Sequence, residues 1–179
     1  MLQVAHNYEE RDQRVVLVKS SVDTKGDDQI VSRLGVTRRA DLLLTPGQDL
    51  RAALQALSAQ RSDLNVGVAC VLIDEAQFLT QNQVIQLGKV VDELDIPVLA
   101  FGIRTDFQGN LFEGSKYLLA WADNLKEIKT VCHCGRKATM VLRLNAKGEV
   151  VSDGTQIEIG GEEKYVSVCR KHFIEKNIG

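Results

Sequence analysis

Short apolar runs alternate with helical patterns through most of the chain, and this alternation limits the fold more than any other feature of the sequence. Three runs have the length and composition of buried strands: RVVLVK (14–19), ACVLID (69–74) and IPVLAFGI (96–103). Three neighbouring segments have the patterns of helices: 45–60, 80–95 and 115–125. In the second of these, Thr80 and Gln83 have the spacing of a capping box. Strands that alternate with helices predict an α/β fold, in which helices cover both faces of a parallel sheet.

The sequence pattern changes near Asn124. From there the chain has short alternating strands, separated by turns that contain glycine. The predicted strands are EIKTV (127–131), ATMVLRLN (138–145), TQIEI (155–159) and KYVSV (164–168). The chain is therefore expected to contain an α/β domain, residues 1–123, and a small β subdomain, residues 124–179.

Composition and charge exclude several classes of protein. A chain of 179 residues with 44% hydrophobic content buries a core without help from disulfides. Its net charge of −2, without a run of like charges, predicts no nucleic-acid partner and no membrane surface. The longest apolar stretch, VGVACVLI (66–73), is too short to cross a bilayer, and no signal peptide follows Met1. Four cysteines are too few for a secreted disulfide scaffold, so the cytoplasm is the expected compartment.

Two close pairs of potential metal ligands lie in the β subdomain. Cys132 and Cys134 form one pair, and Cys169 and His172 form the other. One pair alone is better explained by small buried thiols and a surface histidine. Two pairs in one small subdomain favour tetrahedral zinc, although a C-x-C pair is tighter than the usual C-x-x-C. Because the protein fills all four positions, we expect a structural ion that contributes to folding.

The other candidate ligands are interpreted differently. His133 lies between two ligands, where reaching the same ion is awkward, so we expect it to stay outside the metal site. Cys70 lies within an apolar strand and is predicted to be a core residue.

An acidic pair, Asp74 and Glu75, follows the apolar run 69–74 at the predicted end of a parallel strand. This edge of an open α/β sheet is where ligands usually bind. One carboxylate is able to hold magnesium through water, while the other accepts a proton from an attacking hydroxyl. On the pair alone, two solvated acids that open a loop are an equally good explanation.

Three aromatic residues are expected at the same sheet edge: Phe78, Phe107 and Phe112. Phe78 follows the acidic pair, and the other two flank a turn that contains glycine. Together they are suited to form a slot for a flat base, although each taken singly is more often a core residue.

Four segments occur in the order and spacing of the zinc-containing, cellular type of thymidine kinase: VLIDEAQF (71–78), FGIRTDFQGNLF (101–112), VCHCGRKA (131–138) and IEIGGEEKYVSVCRKH (157–172). The chain resembles this family over nearly its whole length, and its motifs are close to those of the enteric-bacterial members. The resemblance implies a P-loop-NTPase-like parallel sheet flanked by helices, with a C-terminal zinc-ribbon-like subdomain. It also implies transfer of the γ-phosphate of ATP to the 5′-hydroxyl of thymidine or deoxyuridine with Mg²⁺, and a homotetramer inhibited by the end-product triphosphate.

The resemblance also implies roles for single residues. Glu75 matches the catalytic base, and Asp74 matches the acid that positions magnesium. Gln77 and Lys25 match further cofactor-binding positions, and Lys25 stands where many relatives have arginine. The implied nucleoside-binding residues are Phe78, Phe107, Phe112, Ile157, Ile159, Gly160, Gly161 and Tyr165. The two adjacent glycines allow the backbone to approach the base closely.

The phosphate loop of the family, G-x-M-x-[SA]-G-K-[ST], has no counterpart in the sequence. Residues 2–14 resemble the second half of the helix that follows this loop, so the first strand and the loop are missing. We expect the DNA before Met1 to encode them in frame. The alternative hypothesis is a catalytically inactive relative that binds nucleoside or takes part in subunit assembly. A third hypothesis, a zinc module for nucleic acid, is opposed by the balanced charge.

Overall fold

The computed structural model describes residues 1–23, 26–32, 35–60, 67–156 and 164–179, without the side chains of 58–60. The chain divides into two compact units. The first contains Met1–Ile103 and Glu113–Ala122, and the second contains Arg104–Phe112 and Asp123–Gly179. Within the described ranges, no helix combines the length and the apolar character that a bilayer crossing requires.

The first unit has four helices, six strands and one turn of 3₁₀ helix in its described part. In chain order they are α1 (Leu2–Glu9), β1 (Arg14–Ser20), β2 (Gln29–Val31), β3 (Thr37–Arg39), β4 (Leu42–Leu44), α2 (Leu50–Gln60), β5 (Val68–Asp74), the 3₁₀ turn (Ala76–Phe78), α3 (Gln81–Leu94), β6 (Val98–Ala100) and α4 (Glu113–Trp121). Four of the strands form a parallel sheet in the order β4-β1-β5-β6, and β2 and β3 form a separate antiparallel pair.

The apolar side chains of β1 and β5 alternate between two cores. Val16 and Ile73 pack with residues of α2 and α3 in one core. Leu17 and Leu72 pack in the other core, which includes Ala5 of α1. Because both faces of these strands are buried, their sequences are continuous apolar runs. The predicted parallel sheet between helices is confirmed.

The second unit is built from short antiparallel strands. Its described elements are β7 (Thr130–Val131), β8 (Lys137–Ala138), β9 (Met140–Leu144), β10 (Val150–Val151), β11 (Lys164–Val168) and α5 (Arg170–Ile174). One sheet has the order β10-β9-β11, and β7 pairs with β8. Its core combines Leu142 and Val168 with two of the cysteines, Cys132 and Cys169. The predicted small C-terminal β unit is therefore confirmed.

The boundaries of several elements differ from the sequence prediction. The strand predicted at 96–103 is shorter in the structure, where β6 contains only Val98–Ala100. The predicted strand 155–159 lies partly outside the described residues. Three short strands, β2, β3 and β4, were not predicted because three residues are too few to establish a period.

Candidate active site and metal centre

The acidic pair lies where β5 ends. Asp74 is the last residue of the strand and is aligned with Lys19 of β1. Glu75 follows with φ 50° and ψ 41°, the left-handed region that non-glycine residues rarely adopt. This conformation directs the chain into the 3₁₀ turn, whose first amide, Ala76 N, donates a hydrogen bond of 2.8 Å to the carbonyl of Phe101. Uncommon backbone conformations of this kind are concentrated at functional sites.

The side chain of Glu75 is held by a buried glutamine. Gln77 Nε2 donates a hydrogen bond of 2.5 Å to Glu75 Oε2. Gln77 is only 2% exposed, and its Oε1 accepts a hydrogen bond of 3.2 Å from the amide of Ile103. A Cβ atom at Gly102 would lie 2.7 Å from Gln77 Oε1, so the glycine makes room for this amide. Hydrogen bonds at both Oε1 and Nε2 thus fix the orientation of the Gln77 amide group, which donates to Glu75.

Burial makes both carboxylates more basic than usual. It raises the pKa of Asp74, and a hydrogen bond from the backbone of Glu75 opposes part of this rise. It also raises the pKa of Glu75, against the opposing effect of the hydrogen bond from Gln77. The negative charge of Asp23 raises the pKa of both groups, and the positive charge of Lys19 lowers it. A more basic carboxylate is a better proton acceptor.

Lys19 is a buried cation beside this pair that sequence reasoning missed. Its side chain is 1% exposed, and its Nζ atom donates hydrogen bonds to the carbonyls of Asp27 (3.0 Å) and Gln29 (3.1 Å). It also forms an ion pair of 3.2 Å with Asp23. The available signal was a lysine at the end of an apolar run, since lysine is rarely fully buried without partners. Lys25, the predicted cofactor residue nearby, lies outside the described residues.

The candidate nucleoside-binding residues are divided between the two units. Phe78 ends the 3₁₀ turn of the first unit and is half-buried. Phe107 and Phe112 are buried in the second unit, where Tyr165 is 44% exposed. The remaining predicted contacts lie outside the described residues: Ile157, Ile159, Gly160 and Gly161.

The two pairs of potential metal ligands meet in the second unit. The ligand atoms of Cys132, Cys134, Cys169 and His172 all lie within 4.8 Å of one another. Cys132 Sγ is 3.3 Å from His172 Nδ1, and the Sγ atoms of Cys134 and Cys169 are 3.9 Å apart. Three sulfur atoms and one imidazole nitrogen form a ligand set that suits a tetrahedral metal ion.

The thiol of Cys132 has a lower pKa than an ordinary cysteine. Although loss of solvent opposes ionisation, hydrogen bonds from the Cys134 backbone, from His172 and from the Cys169 backbone lower the pKa of the Cys132 thiol to about 6. Thiolates are the form in which cysteine binds metal. The chemistry of this cluster therefore fits the metal that the sequence predicts.

His133 and Cys70 stay outside the four-ligand cluster. The ring of His133 stacks on that of His172, with centroids 4.2 Å apart and an interplanar angle of 14°. Cys70 is fully buried among the residues of the α1 core, and burial raises the pKa of its thiol. The prediction that Cys70 is a core residue is confirmed.

Comparison with known proteins identifies the family. The family model described as thymidine kinase matches residues 1–173. The thymidine kinase of Pasteurella multocida is 52% identical over 98% of this chain and 89% of its own length. Those of Mannheimia succiniciproducens and Haemophilus influenzae are 51% and 50% identical over 98% of this chain, and over 88% and 89% of their own lengths. The chain therefore belongs to the thymidine kinase family, as its motifs predicted.

Proposed function

We propose that Glu75 is the general base in a transfer of the γ-phosphate of ATP to the 5′-hydroxyl of thymidine or deoxyuridine. The observation that carries this proposal is the setting of Glu75: a carboxylate at the end of a parallel strand, made more basic by burial and held by Gln77. Glu75 takes the proton of the 5′-hydroxyl as the hydroxyl oxygen attacks the γ-phosphorus, and the bond from this phosphorus to the β–γ bridging oxygen breaks and releases ADP. The hydrogen bond from Gln77 keeps the carboxylate of Glu75 in a fixed direction. A contact between Gln77 and the cofactor stays a prediction.

Asp74 is proposed as the residue that binds Mg²⁺ through water. Its carboxylate is adjacent to the base yet belongs to the strand, so the two acids are free to serve different partners. When bound, Mg²⁺ neutralises negative charge on the phosphate groups. Lys25 is proposed to contact the phosphates. Lys19 supports the start of the segment that leads to Lys25, through its ion pair with Asp23.

The nucleoside is proposed to bind against aromatic side chains and a stretch of main chain. The aromatic contacts are Phe78, Phe107, Phe112 and Tyr165, and the main-chain contacts are Ile157, Ile159, Gly160 and Gly161. The proposal is supported by the family and by the aromatic, base-sized character of these side chains.

The metal of the Cys₃His cluster is proposed to be structural Zn²⁺. Cys132, Cys134, Cys169 and His172 fill a tetrahedral set and leave no position for substrate. The protein is further proposed to act in the cytoplasm as a homotetramer, on nucleoside and nucleotide partners rather than on nucleic acid or membrane.

The proposed function is tested by the substitution Glu75→Gln, with the exposed residue after α1, Glu10→Gln, as the control. Transfer of labelled γ-phosphate from ATP to thymidine is measured with this chain and with a form extended by the upstream reading frame. Since general base catalysis contributes about 10²–10⁴-fold, Glu75→Gln is expected to lower kcat by that factor, and the control is expected to leave it unchanged.

The outcomes separate the competing hypotheses. Full activity of Glu75→Gln would refute the role of this carboxylate. Thymidine binding in calorimetry without phosphate transfer in either form would favour an inactive, nucleoside-binding relative. Absence of both binding and transfer would refute both hypotheses.

A further inference from the structure

Arg143 lies at the centre of a polar network in the second unit. It belongs to β9, and its side chain is only 2% exposed. The guanidinium group lies over the ring of Phe107, with Cζ 3.8 Å from the ring centroid. Its Nη1 and Nη2 atoms each donate a hydrogen bond of 3.1 Å, to the carbonyls of Thr155 and Asp153 respectively. One buried cation thus contacts two segments that are far apart in sequence.

Asp106 connects the same two segments from the other direction. It is 2% exposed, and its Oδ1 accepts hydrogen bonds from the amides of Gln108 (2.9 Å) and Asn110 (2.8 Å). These bonds close the turn that begins with Phe107. Its other oxygen, Oδ2, accepts a hydrogen bond of 2.8 Å from Gln156 Nε2.

The segment Ser152–Gln156 is bound along its length by these contacts. Besides the bonds from Arg143 and to Asp106, the carbonyl of Ser152 accepts a hydrogen bond of 3.4 Å from Gln108 Nε2. Gly154 has φ +135°, and a Cβ atom there would overlap Arg143 Nη2. Only glycine therefore combines this backbone conformation with the close approach of the arginine.

We propose that Arg143 and Asp106 are positioning residues for nucleoside binding, which hold the turn of Phe107 in register with the segment Ser152–Gln156. The inference rests on the proposed function, because it takes Phe107 as a nucleoside contact. The guanidinium of Arg143 stacks on the ring of Phe107 and donates two hydrogen bonds to the segment Ser152–Gln156. Lysine does not reproduce this combination. A displacement of about 1 Å in such a support lowers a rate by about 10²-fold in other enzymes.

The test compares Arg143→Lys and Gln156→Leu with the parent protein. Lys147→Met is the matched control, because it removes a positive charge from the exposed tip of the same hairpin. The affinity for thymidine is measured by calorimetry, and KM for thymidine, KM for ATP and kcat are measured in the upstream-extended form. Zinc content and Tm show whether each variant is folded.

We expect Arg143→Lys to weaken thymidine binding by about 10-fold to 100-fold while KM for ATP stays within about twofold. Gln156→Leu removes one hydrogen bond at the edge of the network and is expected to weaken thymidine binding by about 2-fold to 10-fold. The control is expected to bind thymidine as the parent does. A purely structural role would lower Tm without this selective rise in KM for thymidine.

The possible failures are distinguishable. If the parent binds and phosphorylates thymidine, but both variants keep its thymidine affinity and its zinc, this inference is overturned and the proposed function stands. If Arg143→Lys does not fold, Gln156→Leu alone decides the question. If the parent neither binds nor phosphorylates thymidine, the proposed function fails and the inference fails with it.

Discussion

At the scale of single residues, Glu75 has features that lower stability and are expected to favour reactivity. Glu75 has a left-handed backbone conformation, and its carboxylate is moved away from water at the end of β5. Each of these features opposes folding, and each favours a base that is fixed in position and easily protonated. The substitution that removes the proposed base is therefore expected to affect stability in a predictable direction.

Glu75→Gln is expected to raise Tm at pH 7 while it lowers kcat for phosphate transfer by about 10²–10⁴-fold. Because burial raises the pKa of Glu75 in the folded protein, the folded state holds this proton more tightly than the unfolded chain does. Stability is then lost as the pH rises from the unfolded pKa through the folded pKa. A neutral glutamine avoids that loss and still accepts the hydrogen bond from Gln77.

This prediction is checked by calorimetric melting of the parent and the variant between pH 4 and pH 8. The difference in Tm is expected to shrink toward the acidic end, where the parent carboxylate is also neutral. A variant that melts below the parent at pH 7, or by the same margin at every pH, would contradict it.

At the scale of elements, the approach of α4 to the 3₁₀ turn depends on one glycine. A Cβ atom at Gly114 would overlap the carbonyl oxygen of Ala76 and lie 2.8 Å from that of Gln77. Backbone atoms do not rotate away, so Gly114→Ala is expected to destabilise the protein by about 1–3 kcal/mol. Since the turn carries Gln77, the support of Glu75, the substitution is also expected to lower kcat.

The matched substitution is Gly88→Ala in the interior of α3. There the added Cβ would lie 3.9 Å from Trp121, an ordinary contact. Alanine in a helix interior is favoured over glycine, so the free energy of unfolding is expected to rise by about 0.5–1 kcal/mol. Urea unfolding of both variants measures the two effects. Equal destabilisation by the two would show that the close approach at Gly114 is not the cause.

The elements that sequence alone predicted share strong local signals. β1 and β5 are continuous apolar runs because both of their faces are buried. The start of α3 carries its own signal, and the two hydrogen bonds of the predicted capping box between Thr80 and Gln83 are both present. Strands of three residues, such as β4, are defined by their neighbours in the sheet and leave no periodic pattern.

The clustering of the proposed metal ligands was predictable because metal binding requires particular residue types at close spacing. The buried contacts around the candidate site were not predictable in this way. Lys19 and Arg143 interact with backbone carbonyls that are brought near by tertiary structure, and any sequence is able to supply a carbonyl. Side-chain motifs in the sequence therefore do not predict long-range contacts to the main chain.

At the scale of the whole molecule, we expect the second unit to depend on its proposed metal more than the first unit depends on any single residue. Its described core cluster contains four buried residues, and two of them, Cys132 and Cys169, belong to the Cys₃His cluster. Structural zinc contributes about 10–16 kcal/mol to the folding of small zinc modules, more than so small an apolar core supplies. The unit also contains Phe107, Phe112 and Tyr165, so its folding is expected to govern nucleoside binding.

This dependence predicts opposite results for two neighbouring histidines. His172→Ala removes a ligand, and we expect loss of zinc, a lower Tm and loss of thymidine binding. His133→Ala removes the ring that stacks on His172, yet leaves all four ligands in place, so zinc is expected to be retained. Elemental analysis of the purified variants and calorimetry with thymidine measure these effects. If His133→Ala released zinc as readily as His172→Ala, the coordinating histidine would have to be reassigned. If the zinc-free variant bound thymidine as tightly as the parent, the metal would have no part in building the nucleoside site.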